Sequence, residues 1–510
     1  MKQYYLGIEF GSTRVKAVLI DGEHRIVKSG DYTWKSSLEN GVWTYHMEDV
    51  QTGLRTAIRN LGELPGAVSA MGISGMMHGY LAFDKDWNLL APFRTWQNTM
   101  TGEAAEQLTA EFGFNIPQRW SIAHLYQAVL NGEAHVKNIA HITTLAGYVH
   151  YLLTGENVLG VGEASGMFPI DSEALDYDAA MLEKFDALIA KYGFAWTARS
   201  VLPKVLTAGQ AAGALTQAGS TFLDGLLSAG IPFCPPEGDA GTGMTATNAV
   251  APRTGNVSAG TSIFAMVVLE KPLSKVYQEI DMVTTPSGKP VAMVHCNNCT
   301  NDMNAWVSLL GETAKLFGAE VSTGELFTKL YQKSLEGDAD CSGVLTYNYM
   351  AGEGITHLDE GRPMVVRKPE SSFTLANFLR SQLYATMSTL KLGMDILAEE
   401  HVAIDSLTGH GGLFKTPGVG QKYMAAACRA PVTCMESAGE GGPYGMALLA
   451  SYLVQKQDGQ TLEQYLETEI FADVKRTTLA PDPEDEAGFD RYLSWYRSAL
   501  AAENAAVKAF

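Results

Sequence analysis

The chain has 510 residues, 46% of them hydrophobic, with 37 basic against 56 acidic side chains and a net charge of −19. That length exceeds a single hydrophobic core and predicts two or three domains. The acidic excess opposes a nucleic-acid backbone or an anionic membrane surface as partner, because either needs a basic field, but it does not oppose a nucleotide held by local N–H groups and metal.

No apolar run approaches the roughly 18 residues of a membrane span. No charged segment with an apolar core and cleavage site precedes the first strand, and six cysteines do not make a disulfide scaffold. A cytoplasmic, reduced protein is expected.

Residues 6–21 read as strand, turn and strand, with Gly11-Ser12-Thr13 at the turn. A near copy stands at 255–270, with Gly260-Thr261-Ser262 at its turn. Glycine lets backbone N–H groups approach an anion, and the hydroxyls add donors. Two such turns facing one another would clamp the phosphates of a nucleotide; the alternative is a pair of ordinary hairpins. A third strand at 25–27, a helix over 48–61 and a buried strand over 68–74 follow. Residues 101–200 read as mostly helical, with one helix stopped at Gly155. A short strand at 229–234 leads to Gly238-Asp239-Ala240, and the second half repeats the hairpin, strands and long helices, including one over 373–400. The last 30 residues are acidic, then alanine-rich and helical.

There is no G-x-x-x-x-G-K-[ST], which excludes a P-loop enzyme. Residues 241–246 match G-x-G-x-x-A but do not come straight off a strand, so they read as the opening of a tightly packed helix. Asp239 sits between small neighbours at the mouth of that helix, where it reads as a helix cap and, compatibly with that, as a carboxylate facing a substrate. His78, in Gly75-Met76-Met77-His78-Gly79, follows a strand end, where α/β sheets bind ligands. Trp96, between Arg94-Thr95 and Gln97-Asn98, has the surroundings of a sugar-facing indole, or of a half-buried loop residue. Glycine clusters at 409–412 and 439–445 would let backbone approach a base and ribose. Cys296-Asn297-Asn298-Cys299 has no second pair at zinc spacing and reads as packing or cleft-lining thiols.

In order and spacing these segments resemble the FGGY carbohydrate kinases, and within them the xylulokinase group, over essentially the whole chain. Residues 7–13 resemble the family's first phosphate hairpin and 258–262 its second. Residues 75–79 resemble the Gln-Met-His-Gly segment of xylulokinases. Gly238-Asp239-Ala240 stands where the family places its catalytic aspartate. Residues 409–412 and 441–445 resemble its adenosine-site segments. There are departures: Glu9 replaces the usual Asp, Gln97 the usual Asn or Asp, and residues 123–126 the usual Lys–Trp pair. The Cys296–Cys299 segment is not typical of the group.

The resemblance implies two actin-like or ribonuclease-H-like α/β domains, residues 1–248 on the sugar side and 249–510 on the ATP side, with an ATP- and sugar-binding cleft between them. It implies ATP-dependent phosphorylation of a sugar hydroxyl, most readily of a ketopentose such as D-xylulose. Asp239 would be the general base, with Met77, His78 and Trp96 lining the sugar pocket. Gly11, Ser12, Thr13, Gly260, Thr261, Gly411 and Gly412 would contact ATP, and Glu9 with Asp239 would hold Mg²⁺. The rival readings are a kinase for L-ribulose, gluconate or glycerol, an actin-like ATPase, and a non-catalytic sugar-binding protein. The expected partners are a small sugar and ATP, with a homodimer left open.

Overall fold

A computed structural model describes residues 3–435 and 441–509. The chain divides into two compact units: Met1–Pro252, Val268–Val291 and Glu440–Val474 form one, and Arg253–Val267, Ala292–Gly439 and Lys475–Phe510 the other.

The first unit opens with strands β1 (Tyr4–Phe10), β2 (Arg14–Asp21) and β3 (Ile26–Thr33), then helix α1 (Met47–Arg59) and strand β4 (Val68–Gly75). Helices Gly102–Phe112, Ser121–Leu130 and Ala179–Ile189 bracket α2 (Leu145–Thr154), which ends on Gly155 with a left-handed φ of 79°. The short strand β5 (Glu237–Gly238) runs directly into helix α3 (Asp239–Ala246). The sheet order is β5-β4-β1-β2-β3. The β1–β2 and β2–β3 pairs are antiparallel, and β1–β4 and β4–β5 are parallel. Leu6, Ile8, Val15, Leu19, Met71 and Ile73 pack against Leu54 and Ile58 of α1 and Val149 and Leu153 of α2 in one core.

The strand expected over 229–234 does not form as a ladder. Residues beside β4 make a single bridge, Met71 with Phe233, and two backbone bonds, Met71 N–H to Pro232 O at 2.9 Å and Cys234 N–H to Met71 O at 3.0 Å. Pro235 and Pro236 then lack the N–H that a ladder needs, and pairing resumes only at Glu237.

The second unit repeats the plan with β6 (Thr254–Ala259), β7 (Ile263–Val268) and β8 (Pro290–Cys296), then helices α4 (Asn301–Leu316) and α5 (Leu375–Glu399), and strands β9 (Ser406–Gly411) and β10 (Val432–Met435). Helix α6 (Gly441–Gln455) belongs to the first unit, and β11 (Arg476–Leu479) and α7 (Pro483–Ala509) return to the second. Six strands of its seven-stranded sheet follow in the order β8-β7-β6-β9-β10-β11. β6 pairs antiparallel with β7 and parallel with β9, as β1 pairs with β2 and β4. The sequence repeat is thus a repeat of topology: a hairpin whose first strand lies beside a parallel strand.

Helix α6 lies on β1 and β4 so closely that a side chain at Gly7 would overlap the Pro443 carbonyl. At Gly72, the register partner of Gly7, a side chain would instead overlap the Met446 and Cys234 side chains. The glycine pair is what admits the helix to the sheet.

Candidate active site

In the first unit β1, β4 and β5 run parallel, so their carboxyl ends come out together. Those ends carry Gly11, the Met77-His78 segment and Asp239, at the edge where α/β sheets bind ligands. Asp239 is not the cap of α3; Gly238 takes that position and Asp239 begins the helix. Its Oδ1 accepts the Met77 amide at 3.3 Å and the Ala240 amide at 3.0 Å. Among the described residues nothing donates to Oδ2, and the side chain is open to water. Surrounding protein nonetheless raises its pKa through desolvation, against the lowering effect of the Met77 and Ala240 amides. A carboxylate raised in this way accepts a proton more readily.

Glu9, at the end of β1, is partly open to water, and its pKa is pushed up to about 8, first by desolvation and then by the Asp239 charge, with Lys16 opposing. Its carboxyl lies against the backbone of Gly442 at the start of α6, where any side chain would overlap it. Gly445 packs equally tightly on Thr242 of α3. These two late glycines therefore serve helix packing around Glu9. The rest of that cluster, residues 436–440, lies outside the described residues.

Met77 meets Asp239 through its backbone. His78 has a left-handed φ of 69°, uncommon without glycine. Its Nδ1 is 3.0 Å from the Gly166 carbonyl, and its ring stacks 6.0 Å from Trp120. Trp96 lies two residues past the Tyr80–Arg94 bridge, which ties its loop to the segment after His78, and is 39% exposed. Arg94 behind it is buried in an ion pair with Glu133.

Two residues here carried no signal in the sequence. Glu237 is buried and accepts the Glu163 amide at 2.9 Å, and desolvation lifts its pKa to about 8. Glu163 is also fully buried, and neither carboxyl oxygen has a hydrogen-bond partner among the described residues. Desolvation pushes its pKa well above the carboxylate range, and the Asp239 and Glu237 charges add to it. A side chain at Gly238 would meet both Glu163 and Met77, so the wall behind Asp239 is packed without slack.

The two repeated turns differ from the expectation in one respect. The glycine amides are used inside the turns, Gly11 N–H on Arg14 O and Gly260 N–H on Ser262 O, both at 2.9 Å. The amides that follow, of Ser12, Thr13, Thr261 and Ser262, donate to no protein acceptor among the described residues. Ser12, Thr13 and Thr261 are exposed. A methyl group at Gly260 would meet nothing within 4 Å. Gly411, with φ 98°, pairs with Ala259 at the end of β6, and a side chain at Gly412 would meet only the Ala259 carbonyl, at 3.9 Å. The second unit thus gathers Gly260, Thr261, Gly411 and Gly412 at one sheet edge.

Among the described residues no group of three or more His, Cys, Asp or Glu side chains is placed to hold a metal. All six cysteines are unpaired, and burial keeps the Cys296 and Cys299 thiols protonated. No described helix is long and apolar enough to cross a membrane.

Comparison with known proteins agrees with this layout. The xylulose kinase of Haemophilus influenzae is 22% identical, over 96% of this chain and 99% of its own. The crystal structure of a xyloylose kinase from Brucella ovis superposes with a TM-score of 0.79 at 20% identity, covering 98% of this chain and 99% of that one. A gluconate kinase from Lactobacillus acidophilus does so with a TM-score of 0.80 at 17% identity, covering 99% of each. At such identities the superpositions establish the fold. The N-terminal domain of the FGGY family of carbohydrate kinases matches residues 4–245 and its C-terminal domain residues 255–454, so the chain belongs to the FGGY family of carbohydrate kinases.

Proposed function

We propose that this carbohydrate kinase transfers the γ-phosphoryl group of ATP to a hydroxyl of a ketopentose such as D-xylulose. The observation that carries the reading is Asp239. One carboxylate oxygen is held by two backbone amides, the other has no donor among the described residues, and the residue is exposed. An acceptor hydroxyl placed there loses its proton to Oδ2 as its oxygen attacks phosphorus in line. Phosphoryl transfer then rests on positioning and charge stabilisation. The outward amides of Ser12 and Thr13, and likewise those of Thr261 and Ser262, are available as anion contacts for phosphate. Gly411 gives the close approach to the Ala259 backbone that a side chain would block, and Gly412 beside it, whose Cβ would meet only the Ala259 carbonyl at 3.9 Å, leaves room for the nucleotide. Met77, His78 and Trp96 line the acceptor pocket.

The carboxylates fit a divalent ion. Glu9 and Asp239 are both open to water, and the Asp239 charge helps raise the Glu9 pKa, the mark of a pair that a cation would relieve. With so few protein ligands, Mg²⁺ would be held largely through waters and phosphate oxygens, and when bound it would neutralise phosphate charge. Full-length likeness to a xylulose kinase supports the ketopentose. The runner-up is a polyol: a Thermococcus kodakarensis glycerol kinase is 27% identical over 53% of this chain.

The test is ADP release over a panel of D-xylulose, L-ribulose, gluconate, glycerol and common aldoses. Sugar-dependent, stoichiometric ADP with D-xylulose giving the highest kcat/KM supports the assignment. A higher value for another acceptor replaces the sugar. ADP release independent of any sugar replaces the kinase with an ATPase.

A further inference from the structure

The segment Cys296-Asn297-Asn298-Cys299-Thr300 finds no use in the reaction, yet its hydrogen bonds converge on the second turn. The Cys299 amide donates to Thr261 O at 3.0 Å, the Thr300 amide to Gly260 O at 3.1 Å, and the Thr300 hydroxyl to Gly260 O at 2.7 Å. In a trans peptide the C=O and the following N–H point in opposite directions. Holding the Gly260 and Thr261 carbonyls inward therefore turns the Thr261 and Ser262 amides outward, and these are the two amides of the turn without an acceptor among the described residues.

Thr300 stands at the N-cap of α4, where a threonine hydroxyl ordinarily accepts an amide of the first helical turn. It makes no such cap bond; its hydroxyl goes to the turn. The segment is itself pinned from behind. Glu353 accepts the Asn297 amide at 3.0 Å, the Asn298 amide at 3.3 Å and the Asn298 side-chain amide at 3.1 Å. Asn298 Oδ1 accepts the amides of Met350 and Ala351, at 2.8 and 3.0 Å. Asn348 donates to the Cys299 carbonyl at 2.8 Å.

The first turn is treated the same way by unrelated residues. The Trp34 indole N–H donates to Gly11 O at 2.7 Å, the Tyr45 hydroxyl to Ser12 O at 2.7 Å, and the Trp34 amide to Thr13 O at 3.1 Å. In both turns, the carbonyls paired with the outward amides are the ones anchored.

We propose that Thr300 is a positioning residue for nucleotide binding, its hydroxyl fixing the Gly260–Thr261 peptide so that the turn presents its amides to phosphate. This rests on the phosphate-binding role given to the turn above. Preset amides need no reorganisation when the anion arrives, and that preorganisation appears as affinity. The experiment measures ADP and ATP binding by calorimetry, with KM for ATP and for the sugar, in three variants. Thr300→Val keeps the shape and the backbone bond but removes the hydroxyl. Thr300→Ser keeps the hydroxyl. Gly260→Val adds bulk at a position where a Cβ would meet nothing within 4 Å.

The expected result is that Thr300→Val weakens nucleotide binding about fivefold, with sugar KM unchanged, and that Thr300→Ser restores binding to within about twofold of wild type. A merely structural threonine would lower the melting temperature and leave this split absent. If Gly260→Val weakens nucleotide binding but Thr300→Val binds as wild type does, the positioning role is overturned while the phosphate turn stands. If Gly260→Val itself binds nucleotide normally, the phosphate reading falls and takes the positioning role with it.

Discussion

Replacing Asp239 by Asn separates the geometry of this residue from its chemistry. The amide oxygen of Asn can keep accepting the Met77 and Ala240 amides, now at 3.3 and 3.0 Å from Oδ1, so the side chain has reason to stay in place. Its –NH₂ then occupies the position of Oδ2, which becomes a donor where the reaction needs an acceptor. Loss of a general base costs about 10²–10⁴ in rate, or roughly 3–5 kcal/mol of transition-state stabilisation. The neutral side chain also escapes the desolvation that raises the Asp239 pKa, so folding stability should hold or rise slightly. The assay is sugar-dependent ADP release at saturating ATP and sugar, beside a thermal melt to show an intact fold. A folded variant that keeps more than about a third of wild-type kcat would refute Asp239 as the base, because no base contributing even tenfold could then be missing.

Three further outcomes are expected. Gly7→Ala should destabilise by about 3 kcal/mol or more in urea unfolding, because the methyl meets backbone of α6, which cannot rotate away, whereas Gly324→Ala, in a helix with nothing within 4 Å, should stabilise by about 0.5 kcal/mol; equal effects would mean that α6 does not pack on β1 as described. Burial of Glu353 raises its pKa to about 7, offset in part by the Asn298 side chain and the Asn297 and Asn298 amides, so the native carboxyl ionises later than the unfolded one. Its contribution to stability is therefore greatest below pH 4.5 and declines as pH rises through about 7, by about 3 kcal/mol in all. Wild type minus Glu353→Gln, followed by denaturation from pH 4.5 to 8, should show that decline, and a flat difference would contradict it. Changing Cys296 and Cys299 together to Ser should leave at least about a tenth of the activity and no stoichiometric zinc, since the turn is held by the Cys299 backbone and not by thiolates; activity that depends on either sulfur would count against this.

Much of this protein is local in origin and therefore legible from the chain alone. The helix expected over 373–400 spans Leu375–Glu399, because apolar spacing and a capping Thr374 act within a turn or two of the residues they affect. The repeated hairpins, the stop at Gly155 and the helix opening at Asp239 are likewise written in neighbouring residues. The order of these motifs was sufficient to point to the family. What the sequence could not show depends on residues far apart in it. The strand expected over 229–234 fails because ladder formation needs donors that Pro235 and Pro236 lack. Helix α6 crosses back to the first unit because Gly7 and Gly72, distant in the chain, align in register and leave a groove for it. Glu163 and Glu237 look like surface residues in the sequence; only packing buries them behind Asp239 and raises their pKa values. The anchoring of the turn carbonyls by Trp34, Tyr45 and Thr300 has no sequence pattern at all. A carbonyl can accept from any donor that the fold brings within about 3 Å, and that donor is chosen by tertiary structure alone.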